Sequence, residues 1–525
     1  MCCGVHDSRI ARSGAGQQCT RGGTRSLGGG TRSFPCAPSP VRGSCLLEPG
    51  RGGLVTEQQR KPNRQLAALM REAGVSNKGL SRRMFDWSRR DQGDPISPSH
   101  TSIAKYLSGQ IARPTARACQ VMAKVLGAQL GRPVALHEIG YPDVAPEAVD
   151  TTLQYPETIT DSITALTQLT KYELTSTDAA AKLLVVPEAW ASLLVKSMYG
   201  SDEEVAIVHE PVELSPVHIQ EVHDATEMFS TFDHRYGGGK SKPLIAQYLE
   251  REVLPLIPRV SASSPLGRNY FQAVASLTLR AGWTAYDSGE HARAQRFLYQ
   301  AYRLARAAGD RAFSGHVLGC MSHQANFLGH FEDAVHLARA AVHHGETGGA
   351  TPTTMALFYA MKARALASQG NEKEATRALL AAESWLGASN PADDPDWVWY
   401  FDSAELHAEF AHCFRDLGNA GLANQHAMTS IAESKDVFVR SLSFCNSVLA
   451  TSHLLANDID QAVEVACSVV DTAVTLNSYR VISYLNEFRG RLAPYDSAAT
   501  RTFDDYFSSK GLLKNRPAAR GIIIP

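Results

Sequence analysis

The chain has 525 residues, 44% of them hydrophobic and 20% charged, with 52 Lys+Arg against 53 Asp+Glu and a formal net charge of −1. This is the composition of a globular protein of more than one domain, and no apolar run reaches the roughly 18 residues that would span a bilayer as a helix. The near-zero charge conceals an asymmetry: Arg60 to Gly140 carry 14 Lys+Arg against 5 Asp+Glu, whereas residues 141–525 carry 31 against 45. A compact basic module on a large acidic body suggests a polyanion-binding head, with a solvated basic surface as the alternative reading.

Residues 1–58 open the chain with Gly, Arg, Ser and Pro (GGTRSLGGGTRSFPCAPSPVRG) and no helical or strand period, so they are expected to be disordered. They lack the apolar core of a secretory signal and would not sustain the amphipathic helix of a transit peptide. Translated upstream sequence, with initiation near Val55, is one expectation for them. Of the ten cysteines, Cys2, Cys3, Cys19, Cys36 and Cys45 fall in this stretch, while Cys119, Cys320, Cys413, Cys445 and Cys467 stand singly in helical segments. No CxxC or Cys/His spacing marks a zinc site or a disulfide framework, so buried reduced thiols of a cytoplasmic protein are expected, with no metal and no cofactor.

From residue 59 to 142 the pattern is one of short helices. NRQLAALMREAG places Leu66, Leu69 and Met70 on one face and ends at Gly74. Ser76 caps a second helix, NKGLSRRMFDWSRR, with Leu80, Met84 and Trp87 inward and Lys78, Arg82, Arg83, Arg89 and Arg90 outward. After the polar DQGDPISP, Pro98 opens SHTSIAKYLSG with Ile103, Tyr106 and Leu107 as its apolar side, and Gly109 closes it. A fourth helix, TARACQVMAKVLGAQL, turns Val121, Met122, Val125 and Leu126 inward.

LMREAGVSNKGLSRRM and IAKYLSGQIARPTARACQVMAKVLG resemble the Cro/C1 (Xre-type) helix-turn-helix family: the first two helices across a Gly-containing turn, then the end of the recognition helix, its Gly-x-x-x-x-Pro connection and the next helix. DWSRRDQGDPISP is several residues longer than the family's tight turn. The resemblance implies binding of double-stranded DNA, because the first turn of one helix fits the major groove. Ser99, His100, Thr101, Ser102 and Lys105 are then the candidates for reading bases, and Asn77, Lys78, Arg82, Arg83 and Arg113 for phosphate contacts. Paired half-sites would call for a homodimer.

Residues 143–260 are expected to form a helical linking region: two amphipathic helices around Pro187, a short β-like stretch VAIVHEPVEL, then helix, glycine corner and helix in VHDATEMFSTFDHRYGGGKSKPLIAQYLEREVLPLI. That last run resembles a segment of actinomycete transcriptional regulators that join an Xre-type module to a tetratricopeptide (TPR)-like body in development or specialised metabolism. GGGKS imitates a phosphate-binding loop, but His234 stands where the first glycine is needed and the preceding segment has a helical period. Gly237, Gly238 and Gly239 are expected instead to allow a sharp reversal with positive φ.

Residues 261–510 carry five copies of one pattern: a corner residue, a small residue five positions on, and another seven beyond that. The corners are Gly289, Gly329, Gly370, Gly418 and Asn457, followed by Ala294 and Ala301, Ala334 and Ala341, Ala375 and Ala382, Ala423 and Ser430, Ala462 and Val469. These copies resemble TPR repeats with a longer period and predict an all-α chain: a helix-turn-helix bundle, a helical linking region, a TPR-like α-solenoid and a disordered tail at 511–525. In that frame Trp283, Tyr286, His323, Asn326, Arg364, His412 and Arg415 face a concave groove suited to a peptide or protein ligand, with packing or solvent contact as the alternative for each. No catalytic motif is present. The resulting expectation is a nucleoid-associated DNA-binding regulator, not an enzyme; an interaction scaffold without DNA binding is the alternative.

Overall fold

The computed structural model describes residues 61–88, 96, 98–111, 114–132, 134–141, 151–153, 158–175, 183–199 and 214–512. Among these residues the regular structure is helical and there is no strand. The described residues fall into two compact units, one within residues 1–147 and one within residues 148–525.

In the first unit α1 (Arg64–Glu72), α2 (Asn77–Ser88), α3 (His100–Leu107) and α4 (Ala116–Leu130) enclose a core of Leu66, Leu69, Leu80, Met84, Ile103, Val121, Met122 and Leu126. Side-chain oxygens of Asn63, Ser99 and Thr115 cap α1, α3 and α4. The inward stripe of α2 ends differently from expectation: Trp87 is exposed and Ser88 is buried. Leu80, Met84 and Ser88 recur every four residues, which is the tighter fit to a helical stripe. The Ser88 hydroxyl then bonds both the backbone N–H of Ile96 (3.0 Å) and its carbonyl (3.3 Å), while Ser81 Oγ donates to the Pro98 carbonyl (2.6 Å). Two serines of α2 therefore anchor the far end of the enlarged turn.

The second unit contains α5 (Ile159–Thr175), α6 (Pro187–Tyr199), α7 (Pro216–Tyr236) and α8 (Gly238–Tyr248), then an array of hairpins. These are α9 (Pro265–Asp287) with α10 (His291–Ala307), α11 (Arg311–Phe327) with α12 (Phe331–Gly348), α13 (Pro352–Ser368) with α14 (Glu372–Gly387), α15 (Ser403–Asp416) with α16 (Ala420–Glu433), and α17 (Val439–Leu455) with α18 (Ile459–Thr475). Helices α19 (Tyr479–Leu492) and α20 (Ala498–Ser509) complete it. Each hairpin turns at one of the five corner residues, all with positive φ, and Asn457 (φ 62°) is the single non-glycine among the described residues in that conformation. The small residues that follow the corners are buried, which lets paired helices approach closely. Leu512, placed by the sequence in a disordered tail, is also buried.

The segment expected to link head and repeats packs on the repeats. Helix α5 lies against α10 and α6 against α12. Gln295 bonds the backbone of Val186 through both amide atoms (2.9 and 2.8 Å), and Arg296 donates to the Leu184 carbonyl (2.9 Å). Lys242 and Arg293 share Glu173 and Glu290, joining α5, α8 and the α9–α10 corner. The β-like stretch falls mostly outside the described residues.

The array turns back on itself. The start of α19 meets the α7–α8 corner: Asn477 donates to Tyr236 (2.9 Å), and Gly239 donates to Asn477 (3.1 Å). Asp287 accepts from the Gly238 backbone N–H (2.9 Å) and from Ser478 Oγ (2.9 Å). The glycine corner serves this closure. Only Gly237 has positive φ; a Cβ on Gly238 would stand 2.5 Å from the Thr284 carbonyl oxygen, and one on Gly239 would stand 2.5 Å from Asn477 Cγ. Two of the three glycines thus permit close approach and not the expected reversal. Gly238→Ala should cost about 1–3 kcal/mol in urea unfolding, whereas Gly387→Ala, with nothing within 4 Å of its added carbon, should leave stability unchanged or slightly raised. Equal midpoints for the two variants would contradict this account of the corner.

Candidate functional site

Closure leaves a cavity on the inner face of the array, with about 1030 Å³ of empty space including its mouth. Its walls come from the first helix of successive hairpins: Arg280 and Trp283 on α9, His316 and His323 on α11, Arg364 on α13, Glu405, Glu409 and His412 on α15, and Arg440 and Phe444 on α17. Arg480 of α19, His234 of α7 and Tyr400 complete it. An apolar-rich helix keeps these polar groups inside because its neighbours on both sides supply partners for them.

Four guanidinia reach this space. Arg440 Nη1 lies 2.8 Å from Asp233 Oδ1 and 3.5 Å from Asp287 Oδ2, and Arg280 approaches Asp233 at 3.5 Å. Arg364 pairs with Glu409 at 2.7 Å and donates to Tyr484 Oη at 2.9 Å. Arg480 is only 4% exposed, 3.9 Å from Asp287, and packed over the rings of Phe444 (4.5 Å), Tyr286 (4.6 Å) and Trp283 (5.4 Å). The Nε groups of Arg280 and Arg480 and both ring nitrogens of His234 have no hydrogen-bond partner.

Burial sets the protonation states. It pushes the Glu405 carboxyl up to about 8, with Glu409 and Asp402 adding to the effect. The imidazoles go the other way: burial and Arg280 push His316 down to about 3, and burial with nearby arginines holds His234, His323 and His412 well below the usual range. Burial pushes the thiols of Cys320 and Cys445 up to about 12, so neither is an activated nucleophile.

Among the residues expected in a groove, Trp283, His323, Arg364 and His412 line the cavity and three do not. Tyr286 is buried behind it, its hydroxyl 2.8 Å from His323 Nδ1. Asn326 donates to Ser368 Oγ (3.0 Å), and Arg415 is paired with Asp416. Sequence reasoning passed over Arg280, Arg440, Arg480, Glu405, Glu409 and their carboxylate partners Asp233 and Asp287. Their signal was present as single charges inside otherwise apolar helices, as in SLTLRAGW.

In the head, His100, Thr101 and Lys105 are exposed at the start and outer face of α3. Ser99 is its cap: its Oγ accepts from the Ser102 backbone N–H (3.1 Å) and lies 2.6 Å from Thr101 Oγ1 and 3.0 Å from Ser102 Oγ. The three hydroxyls are thereby engaged with one another, leaving His100 and Lys105 as the outward groups. On α2, Lys78, Arg82 and Arg83 are exposed and Asn77 is half-buried; Arg113 lies outside the described residues.

A family model described as the SP15 N-terminal domain matches residues 66–142. No curated protein matches the chain. The matched residues run from Leu66, the first residue of the α1 core face, through α2, α3 and α4 to just beyond Tyr141, so the similarity is confined to the head. Among the described residues no cluster of His, Cys, Asp or Glu is arranged to hold a metal ion, and no helix is long and apolar enough to cross a membrane.

Proposed function

We propose that the chain is a DNA-binding transcriptional regulator, in which an Xre-type helix-turn-helix head occupies an operator and a TPR-like body receives a signal. The observation that carries this reading is the outward chemistry of two adjacent helices. Lys78, Arg82 and Arg83 of α2 and His100 and Lys105 of α3 are exposed on a module with a surplus of nine positive charges. Phosphate contacts from α2 would fix the register, while the amino-terminal half of α3 enters the major groove. With Ser99, Thr101 and Ser102 engaged in the cap, base reading falls to Lys105, to His100 and to DNA shape. The resemblance to actinomycete regulators supports a setting in development or specialised metabolism.

Gel-shift titration of the full chain against fragments of its own genome tests the reading. Salt-sensitive, sequence-selective binding is expected. Arg82→Ala with Lys105→Ala should weaken it at least tenfold and flatten the dependence of log affinity on log salt by about one unit for each phosphate contact removed. Absence of salt-sensitive binding, or indifference to the double substitution, would favour a scaffold that does not touch DNA.

A further inference from the structure

We infer that the cavity of the repeat body is a binding site for a small organic acid, one whose anionic group is carried on a flat apolar skeleton. The charge count points to an anion. Arg280, Arg364, Arg440 and Arg480 reach the cavity, and the carboxylates paired with them are Asp233, Asp287 and Glu409, four cations against three anions. Glu405 adds no charge at neutral pH because burial keeps its carboxyl protonated to about 8, and the four cavity histidines are neutral for the same reason. The guanidinium charge beyond the paired carboxylates is one that an anion entering the cavity would match.

The donors point the same way. Arg280 Nε, Arg480 Nε and the His234 ring nitrogens lack partners inside a buried site, and a protonated Glu405 and the Tyr400 hydroxyl add further O–H groups on its wall. Arginines that served only to staple helices would need no open space between them. Trp283, Phe401, Phe438 and Phe444 face the same volume, so the ligand needs a planar apolar part as well as its charge. Helices α7 and α19 contribute His234 and Arg480 to the wall, a closure that an extended peptide lying in an open groove would not require.

The inference deepens the regulator reading by naming the class of signal, and rests on it only for the regulatory consequence. Calorimetry and thermal unfolding of the full chain at pH 7.5, with 1-naphthoate as probe, test it directly. Saturable one-to-one binding with a raised Tm is expected, absent with the neutral 1-naphthalenemethanol and with inorganic phosphate. Arg480→Met keeps the stem packed among its rings and should weaken 1-naphthoate roughly tenfold to a hundredfold. Gly319→Leu provides a variant that keeps every charge. The added Cβ would sit 3.7 Å from Met361, an ordinary contact, and the rest of the side chain would enter the cavity. It should fold with an equal or higher Tm and lose the probe. No saturable binding by the wild type, equal binding of the neutral analogue, or binding untouched by Gly319→Leu overturns the inference. Loss of DNA binding with 1-naphthoate retained would sink the regulator reading alone.

Discussion

Stability should fall steeply as the pH drops from 6.5 towards 5. Six histidines of the repeat body are held below their unfolded value near 6.5: His234, His323 and His412 by a wide margin, His316 to about 3, and His291 and His344 to about 4. Burial is the main cause in each case. Arginines oppose protonation further: Arg440 and Arg280 at His234, Arg480 at His291, Arg306 and Arg311 at His344, and Arg364, Arg415 and Arg480 around His323 and His412. Below 6.5 the unfolded chain binds protons that the folded chain refuses, so the native state is favoured in full above 6.5 and loses ground below it. Between pH 6.5 and 5.5 each histidine costs about 1 kcal/mol, on the order of 6 kcal/mol for the six. Glu405 works in the opposite direction, since its folded value of about 8 lies above the unfolded one, but it returns only about 1.4 kcal/mol over the same unit. The net loss is comparable with the whole stability of many domains. Urea midpoints followed by circular dichroism should drop sharply across this range, and a midpoint flat from pH 7.5 to 5.5 would mean that water reaches these imidazoles.

The local structure of this chain was far more legible than its site. The five corners announced themselves because a hairpin of helices demands a residue at positive φ and small residues at fixed distances, and both demands act within about a dozen positions. Caps and stop signals in the head were readable for the same reason. The stripe of α2 was misjudged at Trp87 because size suggested burial, whereas the geometry gives the inward place to Ser88, whose hydroxyl is needed at Ile96. The cavity escaped because it is made by closure: Asp287 and Ser478 meet across 191 positions, and no local pattern records that α19 returns to the α7–α8 corner. The same blindness turned Gly238 and Gly239 into reversal glycines, since the atoms that forbid their side chains belong to Thr284 and Asn477. What sequence did hold was a set of lone charges in apolar helices, each costly unless paired, and their number alone predicts a shared interior.

Arg440 should be the most expensive of those charges to remove. Asp233 and Asp287 are fully buried, and among the described residues Arg440 is the one cation within 4 Å of both; Arg280 and Arg480 stand at 3.5 and 3.9 Å from one each. Arg440→Met keeps most of the apolar stem and leaves two interior carboxylates with weaker partners, so a loss of about 3–5 kcal/mol in urea unfolding at pH 7.5 is expected. Asp233→Asn added to Arg440→Met should recover part of it, because the cost lies in the uncompensated charge and not in the lost contact; a positive coupling of about 1–3 kcal/mol in the double-mutant cycle is the signature. The location of the damage is equally specific. Asp233 belongs to α7 and Arg440 to α17, so the pair ties the last hairpin to the segment before the first. In Arg440→Met, hydrogen exchange should accelerate first in α17, α19 and the α7–α8 corner, while α11 to α14, held by their own buried small residues, keep their protection. A cost below about 1 kcal/mol, or exchange rising evenly along the array, would show that the closure does not depend on this pair.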